Sequence, residues 1–176
     1  MVRCPALVGL FALSLGGCAA LLTTSPEPVI PAYEVRVHNE RLVRDGWIIA
    51  GAPSSGRLRE VVGEGAVVIS HSGPNMLGYD EDTLVRELGG AFSRTVYDEQ
   101  ELRDPVRRAE AYAPYREALS HEGPVYIHCN TGNKAGALWA LFAWEVLGEP
   151  PHRALRMGLD AGLTAYRPTV EAVLGL

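Results

Sequence analysis

Short apolar runs alternate with longer amphipathic stretches along most of the chain, and this pattern predicts alternating strands and helices. Strands are predicted at residues 33–37, 42–50, 66–70, 91–97 and 125–128, with Asp45-Gly46 as a turn in an opening hairpin. Helices are predicted at residues 54–62, 80–88, 104–120, 134–147, 151–161 and 168–174. This alternation predicts a single-domain α/β sandwich, whose central, mostly parallel sheet is flanked by helices.

In sheets of this kind, ligands bind beyond the carboxyl ends of the parallel strands. Three loops are expected to meet there: residues 70–76, 98–103 and 129–134. The last loop is rich in small residues and connects a predicted strand to an apolar helix. A strand, loop and helix in this order direct backbone amides and a helix N-terminus towards an anion. Residues 129–134 are therefore predicted to bind an anionic group.

The N-terminal residues have the layout of an export signal rather than of a folded element. Arg3 precedes an apolar stretch at residues 6–15, which is too short for a membrane-spanning helix. The sequence Leu15-Gly16-Gly17-Cys18 resembles the lipobox of bacterial lipoproteins, which implies cleavage before Cys18 and lipidation of its thiol. The expected organisation is a signal peptide at 1–17, a Pro-containing tether at 18–32 and a folded domain at 33–176.

This organisation predicts a lipoprotein of the bacterial cell envelope, anchored to a membrane and facing the periplasm. The alternative is ordinary secretory cleavage near Ala19 or Ala20, which would give a soluble periplasmic protein.

Composition and charge restrict the classes of function that this chain can have. With 47% apolar and 21% charged residues among 176, the chain can bury a core, and its net charge of −5 gives no reason to expect a nucleic-acid partner. There are three cysteines, and if Cys4 leaves with the signal and Cys18 carries lipid, Cys129 is the only thiol of the folded domain. The five histidines show no paired spacing, so no metal or other cofactor is expected.

A nucleophilic thiolate is favoured where the sulfur lies among amide donors at a helix N-terminus, which is the predicted position of Cys129. The sequence His128-Cys129-Asn130-Thr131-Gly132-Asn133-Lys134-Ala135-Gly136 resembles the signature loop of cysteine-dependent protein tyrosine phosphatases. It is most similar to the bacterial dual-specificity-like branch related to beta-lactamase-hydrolase-like phosphatase domains. Residues 46–54 resemble a segment near the start of those domains, with Ala52 where glutamine is usual.

The resemblance implies hydrolysis of a phosphorylated protein or a small phosphate ester through a phosphocysteine intermediate. Cys129 would be the nucleophile, and the phosphoryl oxygens would bind to the loop, whose members are Asn130, Thr131, Gly132, Asn133 and Lys134. Asp98 is the candidate general acid because it follows a predicted strand 31 residues upstream of Cys129. Glu99 and Glu101 are its competitors, and an exposed acidic turn is the structural alternative.

Two histidines are candidates for supporting roles. The family pattern implies that His128 hydrogen-bonds to the cysteine loop and holds its shape. His71 follows a predicted central strand and is expected either to face the anion site or to lie exposed in its loop.

The loop departs from the family pattern at its cation. This branch places a basic residue five positions after the cysteine, usually arginine, and here it is Lys134. A lysine lacks the planar fork that binds two phosphoryl oxygens, and Ala135 replaces a hydroxyl that often helps the cysteine to leave. Lys134 could act as a weaker clamp, or an arginine from elsewhere could supply the second contact, with Arg94, Arg103 and Arg167 as examples.

Two alternative functions remain at this point. The domain could be a catalytically impaired pseudophosphatase that binds phosphorylated or anionic ligands. It could also be a rhodanese-like sulfurtransferase, because rhodanese loops have the same number of residues from the cysteine to the basic residue. Against this alternative, the sequence lacks the segments that are usual in that family, and His128 before the cysteine favours the phosphatase.

Overall fold

Five short strands form one sheet in the computed structural model, which describes residues 39–176. The strands are β1 (Arg41–Arg44), β2 (Trp47–Ala50), β3 (Val67–Ser70), β4 (Ala91–Arg94) and β5 (Val125–His128), in the order β1-β2-β5-β3-β4. Only β1 is antiparallel to its neighbour, and the other three pairs are parallel. The predicted α/β architecture with a mostly parallel sheet is confirmed. The signal peptide, the tether with Cys18, and the strand predicted at 33–37 lie outside the described residues.

The predicted hairpin with Asp45-Gly46 as its turn forms within the run at 42–50. Strands β1 and β2 pair with each other, and Asp45 and Gly46 form the turn between them. Gly46 has φ +72°, a left-handed conformation that glycine adopts without steric cost.

Seven helices and one short 3₁₀ helix lie within the described residues. They are α1 (Ser55–Gly63), α2 (Glu81–Glu87), the 3₁₀ helix (Glu101–Arg103), α3 (Pro105–Ala111), α4 (Ala113–Ala118), α5 (Asn133–Glu145), α6 (Pro151–Asp160) and α7 (Arg167–Leu174). Side chains of Ser54, Asp80 and Asp104 cap α1, α2 and α3, each by accepting a hydrogen bond from a backbone amide of the first turn. The single helix predicted at 104–120 is wrong: it is divided into α3 and α4, because Pro114 has no amide hydrogen to continue the ladder of α3.

Strand β5 and helix α5 form the centre of the molecule. All four residues of β5 are buried, and so is the run from Ala135 to Ala143 in α5. One apolar cluster packs α5 against the sheet, and a second fills the space between the sheet, α1 and α2. The loop between β5 and α5 is therefore held at both ends by buried elements.

Helices α5 and α6 approach each other closely through two glycines. A Cβ atom on Gly136 would lie 2.6 Å from the amide nitrogen of Leu163 and 3.0 Å from the carbonyl oxygen of Gly158. A Cβ atom on Gly158 would lie 2.6 Å from that of Ala140. Because neither glycine carries a side chain, the connection between α6 and α7 can lie beside the cysteine loop. Within residues 39–176, no helix has both the length and the apolar composition needed to span a bilayer.

Candidate active site

Cys129 begins the loop that connects β5 to α5, and only 2% of its surface is exposed. The amide of Gly132 donates a hydrogen bond to Cys129 Sγ at 3.1 Å. Gly132 has φ +88°, and this left-handed turn brings its amide round to the sulfur. The thiol therefore lies at the start of a 13-residue helix, close to a backbone donor, as the sequence predicts.

Neighbouring segments hold the cysteine loop in place. The amide of Ala52 donates to the carbonyl of Asn130 at 3.2 Å, and the hydroxyl of Ser72 donates to Asn130 Oδ1 at 2.7 Å. The upstream segment that carries part of the resemblance thus contacts the loop directly. The hydrogen bond from Ser72 uses the acceptor oxygen of the Asn130 carboxamide and fixes the orientation of this side chain, which leaves its amide nitrogen and its backbone N–H as donors.

A cavity of about 370 Å³ opens above Cys129. It is lined by His71, Ser72, Gly73, Met76, Cys129, Asn130, Thr131, Asn133, Lys134 and Tyr166. The structure therefore brings together the nucleophile candidate, the basic residue of its loop and the loop after β3. Two of the three loops expected at the carboxyl ends of the strands line this cavity, and the loop at residues 98–103 does not.

Tyr166 is the cavity residue that sequence reasoning missed. It lies in the connection between α6 and α7, and the side chain of Asn133 holds this connection. Asn133 Oδ1 accepts hydrogen bonds from the amide of Thr164 at 2.8 Å, from its hydroxyl at 3.2 Å and from the amide of Tyr166 at 3.2 Å. The Asn133 carboxamide oxygen thus holds the connection that carries Tyr166, while its amide nitrogen and its backbone N–H are the donors that an anion could use.

Among the described residues that line this cavity, Lys134 is the only lysine, and no arginine is present. Its ammonium donates a hydrogen bond to the backbone carbonyl of Tyr97 at 2.9 Å. The three arginines that were considered for the second phosphate contact all have other partners. Arg94 pairs with Glu81 at 3.2 Å, Arg103 donates to Thr169 Oγ1 at 2.8 Å, and Arg167 pairs with Glu171 at 2.7 Å. The hypothesis that one of them fills the position of the missing arginine has no support in this arrangement.

Asp98 is exposed and does not line the cavity. Its carboxylate accepts a hydrogen bond from the amide of Glu101 at 2.9 Å, and the Glu101 carboxylate accepts one from the amide of Asp98 at 2.9 Å. This reciprocal pair caps the 3₁₀ helix, as a capping box does in an α-helix. Of the two competitors, Glu101 is thus a cap and Glu99 accepts a hydrogen bond from Thr169. The role of Asp98 as a general acid stays a prediction.

His71 is buried beside the cavity, so the exposed-loop alternative is wrong. Its Nδ1 lies 2.9 Å from the carbonyl of Thr95, which can only accept, so Nδ1 donates. Its Nε2 lies 2.7 Å from the hydroxyl of Tyr115. Burial above all, with the charges of His128 and Lys134, lowers the pKa of His71 to about 4. The ring is therefore neutral at pH 7 and accepts from Tyr115, which gives both nitrogens a partner in the fold.

His128 does not hold the cysteine loop in the way predicted. Its Nε2 contacts the carboxylate of Glu81, the first residue of α2, and its Nδ1 has no hydrogen-bond partner among the described residues. Burial raises the pKa of Glu81, but the hydrogen bond and charge of His128, with Ser70 and Arg94, outweigh burial and lower the pKa overall. The imidazole thus lies over α2 because a buried carboxylate there accepts its hydrogen. No sequence pattern indicated this pair, since Glu81 looks like an ordinary acidic residue in a first helical turn.

Within residues 39–176, no group of three or more histidine, cysteine, aspartate or glutamate side chains is placed to hold a metal ion.

No protein-family model and no curated protein matches the sequence. Solved structures do match. Tk-PTP in its active form has 18% identity and a TM-score of 0.61, covering 77% of this chain and 95% of that one. A putative phosphatase from Shewanella putrefaciens CN-32 has 15% identity and a TM-score of 0.59, covering 78% and 87%. TpbA from P. aeruginosa, in complex with phosphotyrosine, has 16% identity and a TM-score of 0.53, covering 76% and 81%. The chain has the fold of the cysteine-dependent tyrosine and dual-specificity phosphatases.

Proposed function

We propose that the chain is a cysteine-dependent phosphatase that hydrolyses phosphate monoesters through a phosphocysteine intermediate. The observation that carries the proposal is the position of Cys129. Cys129 lines the floor of a cavity that Lys134 also lines, and the amide of Gly132 donates a hydrogen bond to its sulfur. The phosphatase folds of the structural neighbours support the same reaction.

In the first step the thiolate of Cys129 attacks phosphorus, the S–P bond forms, and the bond from phosphorus to the ester oxygen breaks. The leaving oxygen takes a proton from Asp98, the candidate acid. Backbone amides of the loop stabilise the three non-bridging oxygens. The amides of Asn130 and Thr131 bond to no other described residue, and those of Asn133 and Lys134 belong to the first turn of α5, where helix geometry leaves them free.

In the second step a water molecule attacks the phosphocysteine. The S–P bond breaks, the thiolate leaves, and Asp98 takes the proton of the water. Ala135 is buried and offers no hydroxyl to the departing sulfur. Hydrolysis of the phosphocysteine is therefore the step that we expect to be slow.

The substrate class is a phosphorylated protein or a small phosphate ester. One structural neighbour, TpbA, is described in complex with phosphotyrosine, which supports a phosphate ester as the ligand. The observations do not favour a sulfurtransferase, because the structural neighbours are phosphatases. Cleavage of thiosulfate with cyanide as the acceptor is the assay for that alternative.

The enzyme proposal is tested with an aryl phosphate in reducing buffer. The wild-type protein should release phosphate, Cys129→Ser should abolish the release, and Lys134→Arg should increase the rate because the planar fork adds a second contact. Arg59→Lys is a matched control, since Arg59 is exposed on α1 and does not line the cavity. Phosphate binding with no turnover, in both the wild type and Lys134→Arg, would contradict the proposal.

A binding module without turnover is the second candidate, and one observation favours it. Lys134 is bonded to the carbonyl of Tyr97, and Asp98 is bonded to Glu101, so both charged catalytic candidates already have partners in the fold. The assay above separates the two candidates, since a binding module retains phosphate affinity and shows no burst of product.

We also propose that the protein is anchored in the bacterial cell envelope through lipid on Cys18, facing the periplasm. The proposal rests on the sequence at residues 15–18. Labelled palmitate should be incorporated by the wild type, and Cys18→Ser should lose the label and leave the membrane fraction. Cys4→Ser is the matched control, because Cys4 lies within the predicted signal peptide and should not affect labelling. Equal labelling of Cys18→Ser and the wild type would contradict this assignment.

A further inference from the structure

A lysine in the cysteine loop leaves the phosphate site short of donors. An arginine presents two parallel N–H groups to a phosphoryl group, whereas Lys134 presents one compact ammonium. That ammonium already donates to the carbonyl of Tyr97 at 2.9 Å. No arginine lines the cavity among the described residues, so a second side-chain donor has to be of another type.

Tyr166 supplies a phenol donor to this cavity, beside the smaller donors of the cysteine loop itself, which are the Thr131 hydroxyl and the carboxamide nitrogens of Asn130 and Asn133. It faces the same cavity as Cys129 and Lys134, and it is half-buried. Its backbone amide donates to Asn133 in the cysteine loop, so the backbone that carries the ring is held beside that loop. Its phenol oxygen forms no hydrogen bond with any described residue. The phenol of Tyr97, by contrast, donates to the carbonyl of Lys134 at 2.7 Å and is therefore occupied.

The surroundings keep the Tyr166 phenol in its donor form. Burial raises its pKa, and the charges of Glu99, Asp98 and Cys129 raise it further. The phenol shares its cavity with the nucleophile, because Cys129 and Tyr166 both line it. A protonated phenol in that position has a hydrogen to donate to a bound ligand.

We propose that Tyr166 contacts the phosphoryl group, donating its phenol hydrogen to a non-bridging oxygen as the second side-chain donor beside Lys134. This inference rests on the proposed function, because it assigns a phosphate to the cavity. It explains how a loop with lysine can bind a phosphoryl group without an arginine. The recognised chemistry is that of a phosphate anion, and the organic part of the substrate does not enter the argument.

Protection of Cys129 by inorganic phosphate tests the contact without requiring turnover. The full-length protein is treated with iodoacetamide at increasing phosphate concentration, and alkylation is measured on the Cys129 peptide by mass spectrometry. This readout separates Cys129 from Cys4 and Cys18. The variant Tyr166→Phe keeps the ring and removes only the phenol oxygen, and an unchanged melting temperature shows that the fold is retained.

Tyr166→Phe should raise the half-protecting phosphate concentration about tenfold, as expected for one hydrogen bond to a charged group. Tyr79→Phe is the matched control and should bind phosphate like the wild type, because Tyr79 donates to the carbonyl of Pro53 outside this cavity. In a Lys134→Arg background the effect of Tyr166→Phe should shrink to less than about threefold, since the arginine supplies the second donor.

Two results would overturn the inference, and they differ. If phosphate protects the wild type and Tyr166→Phe equally, the phosphate site stands and the assignment of Tyr166 is wrong. If phosphate protects no variant, the proposed phosphatase function fails and the assignment of Tyr166 fails with it.

Discussion

Lys134 and Tyr97 are joined twice, each through the backbone carbonyl of the other. The ammonium of Lys134 donates to the carbonyl of Tyr97 at 2.9 Å, and the phenol of Tyr97 donates to the carbonyl of Lys134 at 2.7 Å. Tyr97 directly precedes Asp98 in the chain. The cation of the cysteine loop therefore also holds the backbone that carries the candidate acid.

Replacing Lys134 by methionine should weaken both functions of the ammonium. The change Lys134→Met should lower kcat/KM about tenfold to a hundredfold for p-nitrophenyl phosphate, through loss of a charged contact with the phosphoryl group. The loss should be larger for phenyl phosphate, whose poorer leaving group depends on a correctly placed proton donor. The measurement is the ratio of the two kcat/KM values in the variant and in the wild type.

The exposed residue Arg59 again provides the control, and Arg59→Met should leave this ratio unchanged. An equal loss for both substrates in Lys134→Met would mean that Lys134 contacts phosphate and does not support the acid loop.

The neutral, buried His71 should make stability depend on pH. Because burial lowers its pKa from 6.5 to about 4, the unfolded chain binds a proton between these two values that the folded chain does not bind. The free energy of unfolding should therefore fall as the pH falls from 6.5 to 4, by about 3 kcal/mol from this group alone. Urea denaturation of the wild type and His71→Gln at pH 7 and pH 4 measures this contribution.

The variant should lose about 3 kcal/mol less than the wild type across that interval. His152→Gln is the control, because His152 is exposed on α6 and its removal should leave the difference unchanged. A pH dependence that is the same in His71→Gln and the wild type would show that His71 does not titrate in this way.

The pair formed by Glu81 and His128 should be costly to break. Glu81 is 2% exposed and also pairs with Arg94, so Glu81→Gln leaves a partly buried arginine without its counter-ion and weakens the acceptor that His128 contacts. The expected loss at pH 7 is about 3–5 kcal/mol in the free energy of unfolding. Because the folded pKa of Glu81 is below its ordinary 4.5, the stabilisation is present above pH 4.5 and is lost as the pH falls through the folded pKa.

The cost of Glu81→Gln should accordingly shrink in strong acid, where the wild-type carboxyl is protonated as well. Glu87→Gln, on the exposed end of α2, should have little effect at either pH and serves as the control. A cost below about 1 kcal/mol at pH 7 would indicate that the buried pair contributes no net stability.

The local sequence was sufficient for the strand, loop and helix around Cys129. Apolar residues at 125–128, small residues in the loop and the apolar run of α5 each favour the element that forms there. The limits of the prediction lie in contacts between segments distant along the chain. Asn133 was predicted only as a phosphate ligand, and its carboxamide oxygen also accepts hydrogen bonds from residues 164 and 166, which no local pattern connects to it.

Charged residues were the hardest to assign for the same reason. Asp98 was selected by its distance from Cys129, but its carboxylate is used to cap the helix that follows. Arg94 was considered for the phosphate site, whereas Glu81, 13 residues earlier, binds it in the fold. An acidic or basic side chain can reach several hydrogen-bond partners. Which partner it binds depends on tertiary packing rather than on the local sequence.

The close approach of α5 and α6 determines the position of the connection between α6 and α7, which carries Tyr166. This approach depends on Gly136. A methyl group on Gly136 would lie 2.6 Å from the backbone nitrogen of Leu163, an atom that cannot rotate away. The change Gly136→Ala should therefore cost about 1–3 kcal/mol in the free energy of unfolding and should displace the connection that carries Tyr166. The matched control is Gly63→Ala at the end of α1, where a Cβ would meet no atom within 4 Å, and this change should be neutral or stabilise by up to about 1 kcal/mol. Urea denaturation measures both free energies of unfolding. The phosphate concentration that half-protects Cys129 from alkylation reports whether the connection that carries Tyr166 has moved. Wild-type stability and phosphate affinity in Gly136→Ala would mean that the two helices do not determine the geometry of the cavity.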